Sequence, residues 1–106
     1  IDCARLLYDS DLSKIKASVK KTKPLTLNDL AKIKRNASYI GELSKRATSR
    51  LASAMGARGL SEKNLVHLAN SDINAACSHV SMVWDSCSLP HGMAKLGVLT
   101  EESLGP

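Results

Sequence analysis

At 106 residues, the chain has room for one domain and not two, and it can bury a core without disulfide or metal staples. Its apolar residues are mostly Leu, Ala, Ile and Val, with no Phe, one Trp and two Tyr, which suits helix-on-helix packing and argues against a β-sandwich. The net charge is +5, no apolar run approaches the roughly 20 residues of a membrane span, and no signal-peptide pattern opens the chain, so a membrane helix is excluded and a cytoplasmic setting is expected.

The chain opens at Ile1 rather than Met and reads as a piece of a longer protein. Asp2 is placed to cap a first helix through Cys3, Leu6 and Leu7, and Asp9-Ser10-Asp11 offers a second N-cap. Leu12, Ile15 and Val19 follow at spacings of three and four, one face of a helix. Residues 2–22 are compatible with one helix or two. Pro24 ends them either way, because it disfavours helical geometry at Lys23.

Thr26-Leu27-Asn28-Asp29 is a capping box with Asp in place of the usual Glu. From there Leu30, Ile33, Ala37, Ile40, Ser44, Ala47, Leu51 and Ala54 alternate by three and four, a near-heptad seam. Gly56 sits where a helix-ending glycine belongs, so a helix is predicted from about Leu27 to Met55. At 1.5 Å per residue it is roughly 43 Å long, longer than a globule of this size is wide. Gly41 lies within it and is predicted not to break it. The small residues Ala37, Gly41, Ser44, Ala47 and Thr48 let another backbone approach.

A third helix is expected from Ser61 as N-cap, with Leu60 and Leu65 as a hydrophobic staple, to about Asn70. A fourth is expected from Ser71 or Asp72, with Ile73, Ala76, Cys77, Val80, Val83, Trp84 and Cys87 on a wide buried face centred on Trp84. Ser88-Leu89-Pro90 opens a short fifth helix ending near Gly97. The expectation is an all-α fold of about five helices, the long one packed with or projecting from the shorter ones, with residues 1–97 as one domain and 98–106 as a flexible tail.

No residue set points to catalysis. Cys77 and Cys87 fall on an apolar face of the expected fourth helix, about 15 Å apart, beyond disulfide reach. Together with Cys3 they read as free thiols of a reducing compartment. His67, His79 and His91 sit in no recognisable motif, and Met55-Gly-Ala-Arg-Gly59 is a helix stop rather than a phosphate loop. Cys77 and His79 are two apart, on opposite sides of a helix, so they do not share a metal. Asn36-Ala37-Ser38 matches a glycosylation sequon by chance. A non-enzymatic interaction module without cofactor or metal is expected.

Charge is strongly regional. Residues 14–58 carry twelve cations and two anions, while residues 59–106 carry two cations and five anions. On the long helix Lys32, Arg35, Tyr39, Glu42, Arg46 and Arg50 fall on one stripe roughly 80° wide. Lys32, Arg35, Tyr39, Arg46 and Arg50 are therefore the candidate partner-binding residues, with Tyr39 able to stack on a base or anchor a protein contact. The basic region Lys14, Lys16, Lys20, Lys21 and Lys23 is the second candidate. Against both stands the plain reading of a solvated helix face. The target is anionic: an acidic protein surface, a nucleoprotein–RNA complex, or nucleic acid bound directly. Direct binding finds little support in residues 60–87, where Lys63 is the lone cation. A helical assembly module using the seam is a third reading. The small residues midway along the seam favour its use inside the domain, hence a monomer.

The order of a lysine-rich start, one very long helix from Leu27 to Met55 and three short helices around Trp84 resembles the folded C-terminal domain of a plant rhabdovirus phosphoprotein of the cytorhabdovirus type. That resemblance implies a polymerase cofactor that binds nucleoprotein–RNA in viral replication, in the host cytoplasm. It carries no motif from which a functional residue can be transferred.

Overall fold

The computed structural model describes residues 1–57 and 64–105. Among these the chain is all-α, with five helices and no strand: α1 (Asp2–Lys20), α2 (Leu27–Ala54), α3 (Leu65–Ala76), α4 (Trp84–Lys95) and α5 (Glu101–Leu104), plus a 3-10 turn at Val80–Met82. The architecture is a spine with attachments. α1, α3, the 3-10 turn, α4 and α5 all pack on α2.

Residues 2–20 form one helix. It closes with a six-to-one bond from Lys23 N–H to the Ser18 carbonyl and a tighter one from Thr22 N–H to Val19, the double closure typical of a left-handed cap. Thr22 takes that left-handed position at φ 50°, although a β-branched residue fits it poorly. The turn delivers the chain to Thr26, whose hydroxyl accepts the Asp29 N–H while the Asp29 carboxylate accepts the Thr26 N–H, both at 3.1 Å. The expected capping box is thus formed. α2 runs unbroken through Gly41 and stops before Gly56, which takes φ 59°.

Burial on α2 differs from the periodic expectation. Its buried residues are Ala31, Asn36, Ser38 and Gly41, whereas Leu30 and Leu51 of the apolar seam are 40% and 53% exposed. At 100° per residue, Ala31 and Ser38 lie roughly 140–160° round the helix from Ile33, on the far side from the seam. Small side chains win burial there because they let other elements reach the backbone. A Cβ added at Gly41 would meet the Met82 Cε at 2.8 Å and the Cys77 Sγ at 3.0 Å.

The second half departs further from expectation. Asn64 caps α3, its Oδ1 accepting from Val66 N–H at 2.8 Å. The expected cap and staple at Leu60, Ser61 and Leu65 involve residues outside those described. α3 does not end at Asn70. The Asn70 side chain accepts from the Thr48 hydroxyl at 3.1 Å, and its carbonyl accepts the Asn74 amide at 2.7 Å, so it ties helix to helix instead of opening a new one. The break falls at 77–83. There Ser78 Oγ donates to the Asn74 carbonyl and the His79 ring accepts the Ser81 N–H, local bonds that compete with helix. The expected fourth helix across 71–87 is therefore two pieces, and Cys77 and Cys87 lie on separate elements, both buried and unbridged. Val80 and Val83 are exposed and Trp84 is half-buried. Pro90 does not open a helix. It lies buried inside α4, where its missing N–H interrupts the ladder.

The Gly41 contact has a testable consequence. Gly41→Ala should be close to neutral, because a gain in helix propensity of about 1 kcal/mol offsets displacement of the flexible Met82 end. Gly41→Leu should cost about 1–3 kcal/mol through overpacking against Cys77. Thermal melts of the two variants check this.

Candidate functional site

The stripe proposed on α2 is partly occupied by the fold itself. Lys32, Arg46 and Arg50 are exposed. Tyr39 is half-buried, with its ring 5.2 Å from that of Trp84 at 46°, so it anchors α4 to α2 and does not stand open for stacking. Arg35 is half-buried and donates from Nε and Nη2 to Asn36 Oδ1 at 3.0 and 2.6 Å. Glu42 pairs with Lys45 at 3.2 Å. The geometric reason is that α4 packs along the stripe itself, with Trp84 against Tyr39 and with His91 and Lys95 across a cleft from Lys32.

In the second basic region, Lys14 pairs with Asp29 at 2.5 Å. Lys16, Lys20, Lys21 and Lys23 are exposed. Lys14, Lys21 and Lys23 line a cleft of about 260 Å³ between the end of α1 and the start of α2, together with Pro24, Leu25 and Thr26.

Sequence spacing alone did not bring α2 and α4 together. The structure sets Asn28, Asp29 and Lys32 of α2 opposite His91, Ala94 and Lys95 of α4, around a cleft of about 280 Å³. Each helix supplies residues three and four apart, the spacing that shares a face. Arg35 adds its charge to the field at His91. The His91 Nδ1 is buried without a hydrogen-bond partner among the described residues. Burial, then Arg35, Lys95 and Lys32, hold the His91 pKa below its ordinary value, so the ring is neutral near pH 7. Sequence patterns did not single out Lys95 or pair it with His91, and the four-residue spacing between them does not show which helix they face.

A further cleft of about 180 Å³ lies between α1 and α2, lined by Tyr8, Leu12, Ile15, Ile33, Ala37 and Ile40 and by Asp11. Asp11 accepts the Asn36 Nδ2 at 2.9 Å. Asn36 is 2% exposed and its amide is engaged on both sides, so the sequon is closed to modification in the fold. His79 caps the 3-10 turn. Among the described residues no three of His, Cys, Asp and Glu are grouped to hold a metal ion, and no helix is long and apolar enough to cross a membrane.

A long helix bearing shorter helices along its length, with clefts opening between them, defines a helical packing domain. The chain belongs to the acyl-CoA dehydrogenase C-terminal domain family, whose model matches residues 1–84. No curated protein and no solved structure matches the chain. The family match overturns the resemblance to a rhabdovirus phosphoprotein, and with it the reading as a nucleoprotein-binding cofactor of a viral polymerase. That resemblance rested on the order of long and short helices, an arrangement that unrelated helical domains share. The expectation of a module with no part in an enzyme likewise loses its support, since the family is a domain of an enzyme.

The Asp29 carboxylate is held at about 2, below its ordinary 3.8, chiefly by its hydrogen bond from Lys14 and then by the Thr26 N–H. A lowered folded-state pKa favours the native state wherever the group is ionised. This contribution should be complete above about pH 4 and decline as pH falls from 3.8 towards 2. Asp29→Asn should remove that part of the acid dependence and cost about 1 kcal/mol at neutral pH through the weakened cap. Denaturant melts between pH 2 and pH 7 measure both.

Proposed function

We propose that this chain serves as a helical wall of an acyl-CoA dehydrogenase-type enzyme, packing its apolar faces against further polypeptide of that enzyme. The observation that carries the reading is the openness of the fold in a member of this family. The radius of gyration is 16.6 Å and the extents are 50 × 28 × 18 Å, against about 13 Å for the radius of gyration of a compact domain of this length. Among the described residues the buried apolar side chains are Ala31, Cys77, Cys87 and Pro90, while Leu6 and Val19 on α1 are 70% and 74% exposed. These two side chains project from different sides of α1 and are open to contacts with further polypeptide.

Dehydrogenating an acyl thioester requires a base for the α-proton and a two-electron acceptor for the hydride. The clefts at α1–α2 and α2–α4 measure about 180 and 280 Å³ and open at the surface between helices. That is below the roughly 300–1,000 Å³ of a pocket that encloses a sizeable ligand. Among the described residues these two clefts do not enclose an acceptor, so a reaction centre bordered by this chain draws walls from further polypeptide.

The test is acyl-CoA-dependent reduction of an electron-accepting dye by the native polypeptide that carries this chain. Wild type should reduce the dye only when an acyl-CoA is supplied. The Leu6→Glu/Val19→Glu double variant should lose most of that activity with helix content by circular dichroism unchanged. Dye reduction that does not depend on acyl-CoA, or is indifferent to the double variant, would count against the wall.

A further inference from the structure

The cleft between α2 and α4 is rich in positive charge, and its carboxylate is already engaged. Asp29 accepts the Thr26 N–H and pairs with Lys14. Lys32 and Lys95 line the same cleft, and neither has an ion-pair partner among the described residues. We propose that Lys32, His91 and Lys95 bind a phosphate group in this cleft, with Asn28 as a further donor and Arg35 adding its field.

Three features select a phosphate. The first is charge. At neutral pH a phosphate monoester carries nearly two negative charges and three strong acceptor oxygens, which suits two ammonium groups and a ring donor better than a singly charged carboxylate does. Lysine ammonium groups act as point-charge phosphate ligands. The second is the histidine. Its Nδ1 is buried and unpartnered, and a buried N–H with no acceptor is costly, so the proton of the neutral ring belongs on Nε2. That leaves Nε2–H as the ring's donor, on a residue that lines the cleft. The third is room. Ala94 lies between His91 and Lys95 with a single methyl, and the cleft of about 280 Å³ is many times the ~30 Å³ share of one water, enough for one phosphate or a diphosphate.

A bound phosphate changes the balance at His91. Burial, with Arg35 and Lys32 on α2 and Lys95 on α4, disfavours the imidazolium. The anion offsets those charges and accepts from the ring, so ligand binding raises the histidine pKa. Lys14 and Asp29 offset each other nearby.

The experiment is a histidine-ring NMR titration of the whole chain with inorganic phosphate and with diphosphate, at constant ionic strength. Constant ionic strength matters because exposed charges are screened over roughly 10 Å at 0.1 M salt. The expected result is a saturable shift of His91, with its pKa moving up, while His67 and His79 stay in place. Saturation at lower concentration with diphosphate would assign a diphosphate-bearing ligand, and equal saturation a single phosphate. The Lys32→Ala/Lys95→Ala variant should bind about tenfold more weakly or worse. The Lys16→Ala/Lys20→Ala variant, which removes the same charge from α1, should bind as wild type does. Circular dichroism of both variants should match wild type, since all four lysines are exposed. Linear, unsaturated shifts, equal movement of all three histidines, or the same loss of affinity in both double variants would overturn the site.

Discussion

The fold depends on how closely other elements can approach the backbone of α2. Ala31, Ser38 and Gly41 give that helix a side with almost no side-chain bulk, and all three are buried. The segment around Cys77 and Met82 settles against Gly41, and the contact is tight enough that even a methyl group would displace its neighbours, while α4 packs on the same helix. Close packing of this kind gathers many small dispersion contacts. It also explains why a chain without Phe needs no large core. Tyr39 and Trp84 then fix α4 along the spine through their rings.

On the opposite side, polar bonds set the register. Asn36 links Arg35 on its own helix to Asp11 on α1, and Asp29 links the capping box to Lys14. A buried amide bonded through both its oxygen and its nitrogen tolerates few alternative registers, because any shift strands those groups. The apolar cleft beside it stays open, with Tyr8 and Ile15 still exposed. The attachment of α1 is thus specified by polar bonds, while its apolar side chains remain available for further contacts.

Much of this was legible in the sequence, and the failures share a cause. The capping box at Thr26, the unbroken passage through Gly41 and the stop at Gly56 are local signals, and each appears in the structure where the chemistry put it. The side of α2 that is buried was misread, because the seam from Leu30 to Ala54 marks where apolar side chains lie, while burial followed the small residues that admit a backbone. The break at 77–83 was missed because Ser78, His79 and Ser81 hold it with side-chain bonds, which leave no trace in apolar periodicity. Of the phosphate cleft, Lys32 and Arg35 were readable as cations on one face. His91 and Lys95 gained meaning only when α4 crossed α2. Family membership over residues 1–84 was not readable at all from these patterns, since periodicity describes helices and not ancestry.

The small-residue spine is the claim on which the other readings stand, because the position of α4 over α2 creates the cleft and leaves the outer faces of α1 and α2 open. Native-state hydrogen exchange resolved by residue tests it most directly, since exchange reports which segments open together. The account predicts that the amides of α2 from Ala31 to Thr48 form the slowest group and exchange as a unit, with the facing part of α4 close behind and α1 opening earlier. Protection of α1 equal to that of the middle of α2, or two separate exchange groups dividing at Gly41, would contradict it.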